Sequence, residues 1–196
     1  RGHRGRFDLV ITWRGRSGHA SAPERAINPY YSMARFLLAL RDEPMATHPD
    51  FGSSTAAPTL SRIDQTCSNV IPSELVMHLD WRNVPGESLE DAQTRIERLL
   101  AATCDPGVVA TAGPAKHPVL SYTGLSRTPV GAFASFVTAP DDPRLLLAQD
   151  ELARALGRPV DVGVWKFTTD GGHLATAGVW CLGFGPGEEW LAHVVD

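Results

Sequence analysis

Glu74-Leu75-Val76-Met77-His78-Leu79-Asp80-Trp81-Arg82 alternates cleanly. Leu75, Met77, Leu79 and Trp81 fall on one face of an extended chain, and His78, Asp80 and Arg82 on the other. A period of two with large apolar residues marks a strand with one face in a core, so Arg82 is expected to point away from that core. Phe7, Leu9, Ile11 and Trp13, set against Asp8, Thr12 and Arg14, repeat the pattern. Asn28-Pro29 is an N-cap and first-turn pair; Tyr30, Met33, Ala34, Leu37 and Leu40 then recur at helical spacing as far as Asp42. Thr59 to Thr66 is a weaker strand. Ser88 with Asp91 opens a second helix in the manner of a capping box, and Ala92, Ile96, Leu99 and Leu100 form its apolar stripe. Val108 to Thr111 supplies a last strand. Strand, helix, strand, strand, helix, strand over residues 6–112 is the order of a ferredoxin-like βαββαβ unit, a helix layer on an antiparallel sheet.

Beyond it the character changes. Residues 113–140 read as irregular, and the Phe133 to Val137 run has no assigned conformation. Asp142 and Pro143 open a third helix through Leu145, Leu152 and Leu156, which Gly157 and Pro159 stop. Val160 to Trp165, Thr169 to Ala177 and Val179 to Phe184 read as strand, short helix and apolar strand; the 13-residue crossover implies parallel strands in a sheet covered on both faces. The fold class is therefore α/β: a ferredoxin-like α+β unit over residues 5–117, followed over residues 118–196 by the C-terminal part of an α/β domain.

Composition narrows the function. Eighteen basic against 22 acidic residues give a net charge of -4, without the basic excess that draws a protein onto nucleic acid. No apolar run approaches the roughly 20 residues of a membrane helix, and the Arg-rich start lacks the apolar region of a signal peptide. A cytoplasmic protein is expected. Cys67, Cys104 and Cys181 are too far apart for a zinc knuckle and read as small hydrophobes. The chain starts at Arg1 without Met and stops at Asp196, just past His193, which reads as a fragment of a longer protein.

In an open parallel sheet, ligands gather beyond the carboxyl ends of the strands. Two loops lead there: Lys166 to Gly172, at a helix start whose amides can hold an anion, and Gly185 to His193, carrying Glu188, Glu189 and His193. From the residues alone, His193 and His19 read equally as ordinary loop histidines, Asp170 and Gly171 as a cap and a turn, and Arg82 as one side of a surface ion pair. No Walker loop, His-Glu-x-x-His helix or Gly-x-Ser-x-Gly elbow is present.

Arg14-Gly15-Arg16-Ser17-Gly18-His19-Ala20-Ser21-Ala22-Pro23 resembles the opening strand and histidine loop of the lid domain of the M20 metallopeptidases. Ser68-Asn69-Val70-Ile71-Pro72 and Leu79-Asp80-Trp81-Arg82 are similar to that domain's Asn-Val-Ile-Pro segment and Asp-x-Arg strand end. Thr169-Asp170-Gly171-Gly172-His173, with Gly183-Phe184-Gly185-Pro186-Gly187 through Ala192-His193, look like the family's two closing catalytic motifs.

The resemblance implies a hydrolase of an amide or peptide bond in N-acyl amino acids or small peptides. It also implies two zinc ions, with cobalt or manganese possible substitutes, and a homodimer formed through the lid domain. Carried over by position, His193 is a metal ligand, and His19 donates from the partner subunit to the scissile carbonyl. Asn69 and Arg82 hold the substrate's carboxylate or acyl group, and Asp170, Gly171 and Gly172 help bind it. The family's upstream His-x-Asp, bridging Asp and paired Glu have no counterpart here, so the chain alone is expected to be inactive. The competing expectation is a non-catalytic dimerisation or ligand-binding module.

Overall fold

The computed structural model describes residues 1–185. Its main sheet is built from β1 (Arg6–Arg14), β2 (Thr55–Ile63), β3 (Glu74–Arg82) and β4 (Val109–Pro114), with α1 (Pro29–Arg41) joining β1 to β2 and α2 (Leu89–Thr103) joining β3 to β4. The order across the sheet is β4-β1-β3-β2, every neighbouring pair antiparallel. Two crossovers in the same sense produce this ferredoxin-like order, because each helix must return over the same face.

The register explains the core. Phe7 pairs with Trp81, Leu9 with Leu79, Ile11 with Met77 and Trp13 with Leu75, so the apolar positions of both strands stack on one face. Phe36 and Leu40 of α1 and Ala92, Ile96, Leu99 and Leu100 of α2 close over them. Trp13 meets Phe36 edge-on at 5.4 Å between ring centroids, a favoured aromatic geometry. Both caps form as their residues dictate: Asn28 accepts from the Tyr30 amide, and Ser88 with Asp91 makes a complete capping box.

The β2 strand begins four residues earlier than its sequence suggests. It is the sheet's outer edge, exposed at every position but the half-buried Ala56, so no alternation was imposed on it. Pro58 sits at a register shift, a position that an edge strand tolerates.

The irregular stretch resolves into an excursion. After β4 the Ala115 amide donates to the Asp8 carbonyl, and the Asp8 amide donates to the Gly131 carbonyl, both at 2.7 Å. The chain leaves the edge of β1 at Asp8, forms a small hairpin of Val119–Leu120 with Ser126–Arg127, and returns as β5 (Ala132–Phe133), paired with Arg6 and Phe7.

The parallel strands expected over residues 160–165 and 179–184 do not form a ladder among the described residues. Trp165 alone makes a parallel bridge to His3, and Gly2–His3 pairs on its other side with Phe136–Val137. A buried parallel strand needs neighbours along its length, and here Gly2–His3 offers one over two residues only. The helices α3 (Pro143–Leu156) and α4 (Gly171–Thr176) do form, α3 ending at Gly157 in the left-handed conformation. No described helix is long and apolar enough to cross a membrane.

Candidate functional site

His19 lies in a two-residue strand, Gly18–His19, paired antiparallel with Val70–Ile71. The Ala20 amide donates to the Asn69 carbonyl at 2.9 Å, and the Ser17 hydroxyl to the Ile71 carbonyl at 2.8 Å. Two loops distant in sequence are thereby clamped, which brings exposed His19 and exposed Asn69 together. Beneath them the Ser73 hydroxyl holds the Asp64 carboxyl below its ordinary range. The Ser21 amide donates to His19 Nδ1 at 3.2 Å. An amide can only donate, so with Nδ1 accepting the neutral form of the ring carries its proton on Nε2.

Arg82 is the last residue of β3, on the face away from the helices, as the alternation requires. Its Nε and Nη2 donate to Asp80 at 2.5 and 3.2 Å, and Arg6 Nε donates to the same carboxylate at 2.6 Å. One carboxylate thus faces two guanidiniums, whose remaining N–H groups can meet an anion. Neighbouring Asp8 is buried and takes His78 at 3.2 Å and His117 at 3.1 Å. Sequence reading missed this group, because His117 lies on the excursion and only the fold carries it to Asp8.

From Arg82 the structure leads to the glycine turn. Asn83 accepts from the Gly5 amide through its carbonyl and donates through Nδ2 to the Ser135 hydroxyl. Gly172 packs against Ala134, where an added Cβ would lie 1.9 Å from the carbonyl oxygen. Glycine at 172 is thus required by close approach.

At the turn itself the cap differs from the one expected. Asp170 occupies the cap position without a side-chain cap bond, and it is the Thr169 hydroxyl that accepts from the Gly171 amide, at 3.1 Å. The Gly172 amide bonds the Thr169 carbonyl. These two amides are engaged within the turn, and α4 has six residues. His193, with Glu188 and Glu189, lies outside the described residues.

His3 was read only as part of the Arg-rich start. It is buried behind the same turn, edge-on to Phe136 with ring centroids 4.8 Å apart. Its flanking glycines were the available signal, since Gly2 and Gly5 both meet backbone too closely for a Cβ.

Residues 1–108 match the peptidase dimerisation domain of the M20 peptidases. The chain belongs to the M20 peptidase family. The protein YgeY of Escherichia coli K12 is 29% identical over 196 residues, covering 98% of this chain and 48% of YgeY. A succinyl-diaminopimelate desuccinylase of Rhodopseudomonas palustris is 29% identical over 143 residues, covering 70% of this chain and 35% of that enzyme. This M20 chain thus spans half or less of the length of these relatives. Among solved structures, aminopeptidase PepT of Bacillus cereus shares the fold at a TM-score of 0.68 and 16% identity, over 91% of this chain and 42% of its own. A hydantoinase/carbamoylase-family amidase of Burkholderia vietnamiensis does so at 0.62 and 16%, over 89% and 38%.

Proposed function

We propose that the whole protein is a metal-dependent hydrolase of an amide or peptide bond in N-acyl amino acids or small peptides, and that each active site draws on both copies of a homodimer. The supporting observation is a distance. The His19–Asn69 pair adjoins the Glu74 end of β3, Arg82 closes the other end, and a nine-residue strand is about 26 Å long. A dipeptide-sized substrate reaches about 7 Å at full extension. One protomer therefore cannot present His19 and Arg82 to one small substrate, whereas a two-fold dimer can bring one copy's His19 to the other's Arg82.

The roles follow from the chemistry. Arg82 holds a carboxylate through guanidinium N–H groups not committed to Asp80. His19, its proton on Nε2, donates to the carbonyl oxygen as negative charge develops there, and Asn69 beside it fixes the same end of the substrate. The exposed edge of β2 is the surface through which the lid domains pair, since an unpaired strand of this length is a template for another.

Among the described residues no three His, Cys, Asp or Glu side chains gather where they could hold a metal ion. They do not by themselves fit zinc. In this reading His193 contributes to a metal site completed by residues elsewhere in the protein. The test is an assay of the full-length protein with two equivalents of zinc or cobalt against a panel of N-acyl amino acids; metal-dependent turnover is expected, and none on any substrate counts against the proposal.

A further inference from the structure

Asn83, the residue after Arg82, is 1% exposed and joins three stretches of chain. Its carbonyl accepts from the Gly5 amide at 3.1 Å, and its Nδ2 donates to the Ser135 hydroxyl at 3.1 Å and to the Glu87 carbonyl at 3.4 Å. Gly5 belongs to the passage that enters β1, and Ser135 to the passage that leaves β5. A Cβ at Gly5 would collide with the Asn83 carboxamide oxygen, the Phe133 carbonyl oxygen and the Ser135 amide. Both passages and this one side chain therefore close on a single point.

Packing alone does not account for an asparagine there. Its Oδ1 is buried without a hydrogen-bond partner, a penalty that an apolar side chain of similar size avoids. Turning the carboxamide over would set that oxygen against the Glu87 carbonyl, so the donor side is committed to Glu87 and Ser135. Glu87 is itself buried and fixed: its amide donates to the Val84 carbonyl at 3.1 Å, and its carboxylate accepts from the Ser54 hydroxyl. The turn carrying Asn83 is thus secured within the lid domain, and what the side chain adds is the contact to Ser135. From both passages the contacts continue to the glycine turn. The Ala134 carbonyl oxygen, next to Ser135, lies against Gly172, and the Arg4 carbonyl, next to Gly5, accepts from the Thr168 hydroxyl at 3.0 Å.

We propose that Asn83 is a positioning residue, a bolt that holds the Arg82 end of β3 at a fixed place relative to segment 168–172 through both passages between the lid domain and the rest of the chain. Its consequence for substrate rests on the hydrolase reading above and deepens it. A guanidinium fork grips a carboxylate only in the right orientation, and Asn83 fixes the backbone from which the Arg82 fork projects.

The test uses the full-length protein, wild type and with Asn83→Leu, Ser135→Ala, Arg82→Lys, and Ser135→Ala combined with Arg82→Lys, on one N-acyl amino acid. Ser135→Ala, at a half-buried position, removes only the acceptor beyond the bolt. It is expected to raise KM about fivefold with kcat little changed, the effect of one neutral hydrogen bond, and Asn83→Leu at least as much. Lysine at 82 is a point charge on a flexible stem and tolerates a shift that a planar fork does not. In that background Ser135→Ala is expected to change KM less than about twofold. Equal rises in both backgrounds, or in neither, overturn the proposal. Hydrogen exchange does not depend on turnover: in Ser135→Ala the Gly5 amide is expected to exchange about fivefold faster, while that of Leu79 in the middle of β3 is unchanged. A uniform rise, or none at Gly5, overturns the bolt. Absence of all metal-dependent turnover, or a KM untouched by Arg82→Lys, defeats the hydrolase reading or the role of Arg82 instead and leaves exchange to decide the bolt.

Discussion

Asp8 and Asp80 face each other directly across β1 and β3, two carboxylates at a spacing where like charges repel. Arg6 and Arg82 on Asp80, and His78 and His117 on Asp8, offset the repulsion. Replacing Asp80 by Asn removes the negative charge, and one of the two acceptor oxygens, that both guanidiniums share. A loss of about 1 kcal/mol is expected, below the range for buried charged hydrogen bonds because both arginines are partly exposed. Urea denaturation measures it, and an unchanged midpoint would show the network to be neutral for folding.

His3 makes stability depend on pH. The folded chain holds this imidazole below its ordinary value, while the unfolded chain takes up a proton near pH 6.5. The unfolded state therefore binds more protons below that pH, and the group's contribution is complete above about 6.5 and is lost as the pH falls. The denaturation midpoint is expected to decline between pH 7 and 5.5, and to decline less steeply in His3→Gln. Identical slopes contradict this.

Gly172 and Gly113 separate close approach from mere presence of glycine. A Cβ at 172 would collide with the Ala134 carbonyl oxygen, whereas one at 113 meets nothing within 4 Å. Gly172→Ala is expected to cost about 1–3 kcal/mol, and Gly113→Ala to lie within about 0.5 kcal/mol of wild type. Equal midpoints in urea would remove the packing argument that ties the glycine turn to Ala134.

Leu60 is 58% exposed on the outer edge of β2. If that edge joins two copies, Leu60→Lys is expected to shift full-length protein from dimer to monomer in sedimentation while leaving the protomer's circular dichroism unchanged. A dimer that survives the substitution at micromolar concentration places the interface elsewhere.

Where one face of an element is buried, sequence alone was enough. Glu74 to Arg82 and Phe7 to Trp13 alternate because a helix layer covers one side of each, and the Asn28 and Ser88 caps announce their helices through local hydrogen bonds. The β2 strand was misplaced because an edge exposed on both faces leaves no period to read. The hairpin at residues 116–130 was invisible because its place depends on backbone bonds to Asp8. Of the site, the motif residues were legible one by one, but their division between the two ends of β3 was not, since only the Gly18–His19 pairing with Val70–Ile71 sets it. His3 escaped notice because only the fold buries it, behind the glycine turn and edge-on to Phe136.

The sharpest test of shared active sites is subunit complementation. His19→Ala and Arg82→Ala versions of the full-length protein, each purified as a dimer, are expected to be nearly inactive. Mixed at equal amounts and allowed to exchange, they form hybrids in which one site of two holds an intact His19 from one copy and an intact Arg82 from the other, so random two-fold assembly restores roughly a quarter of wild-type activity. Activity that stays at the level of the separate variants, after exchange has been verified, contradicts the sharing of each site between copies.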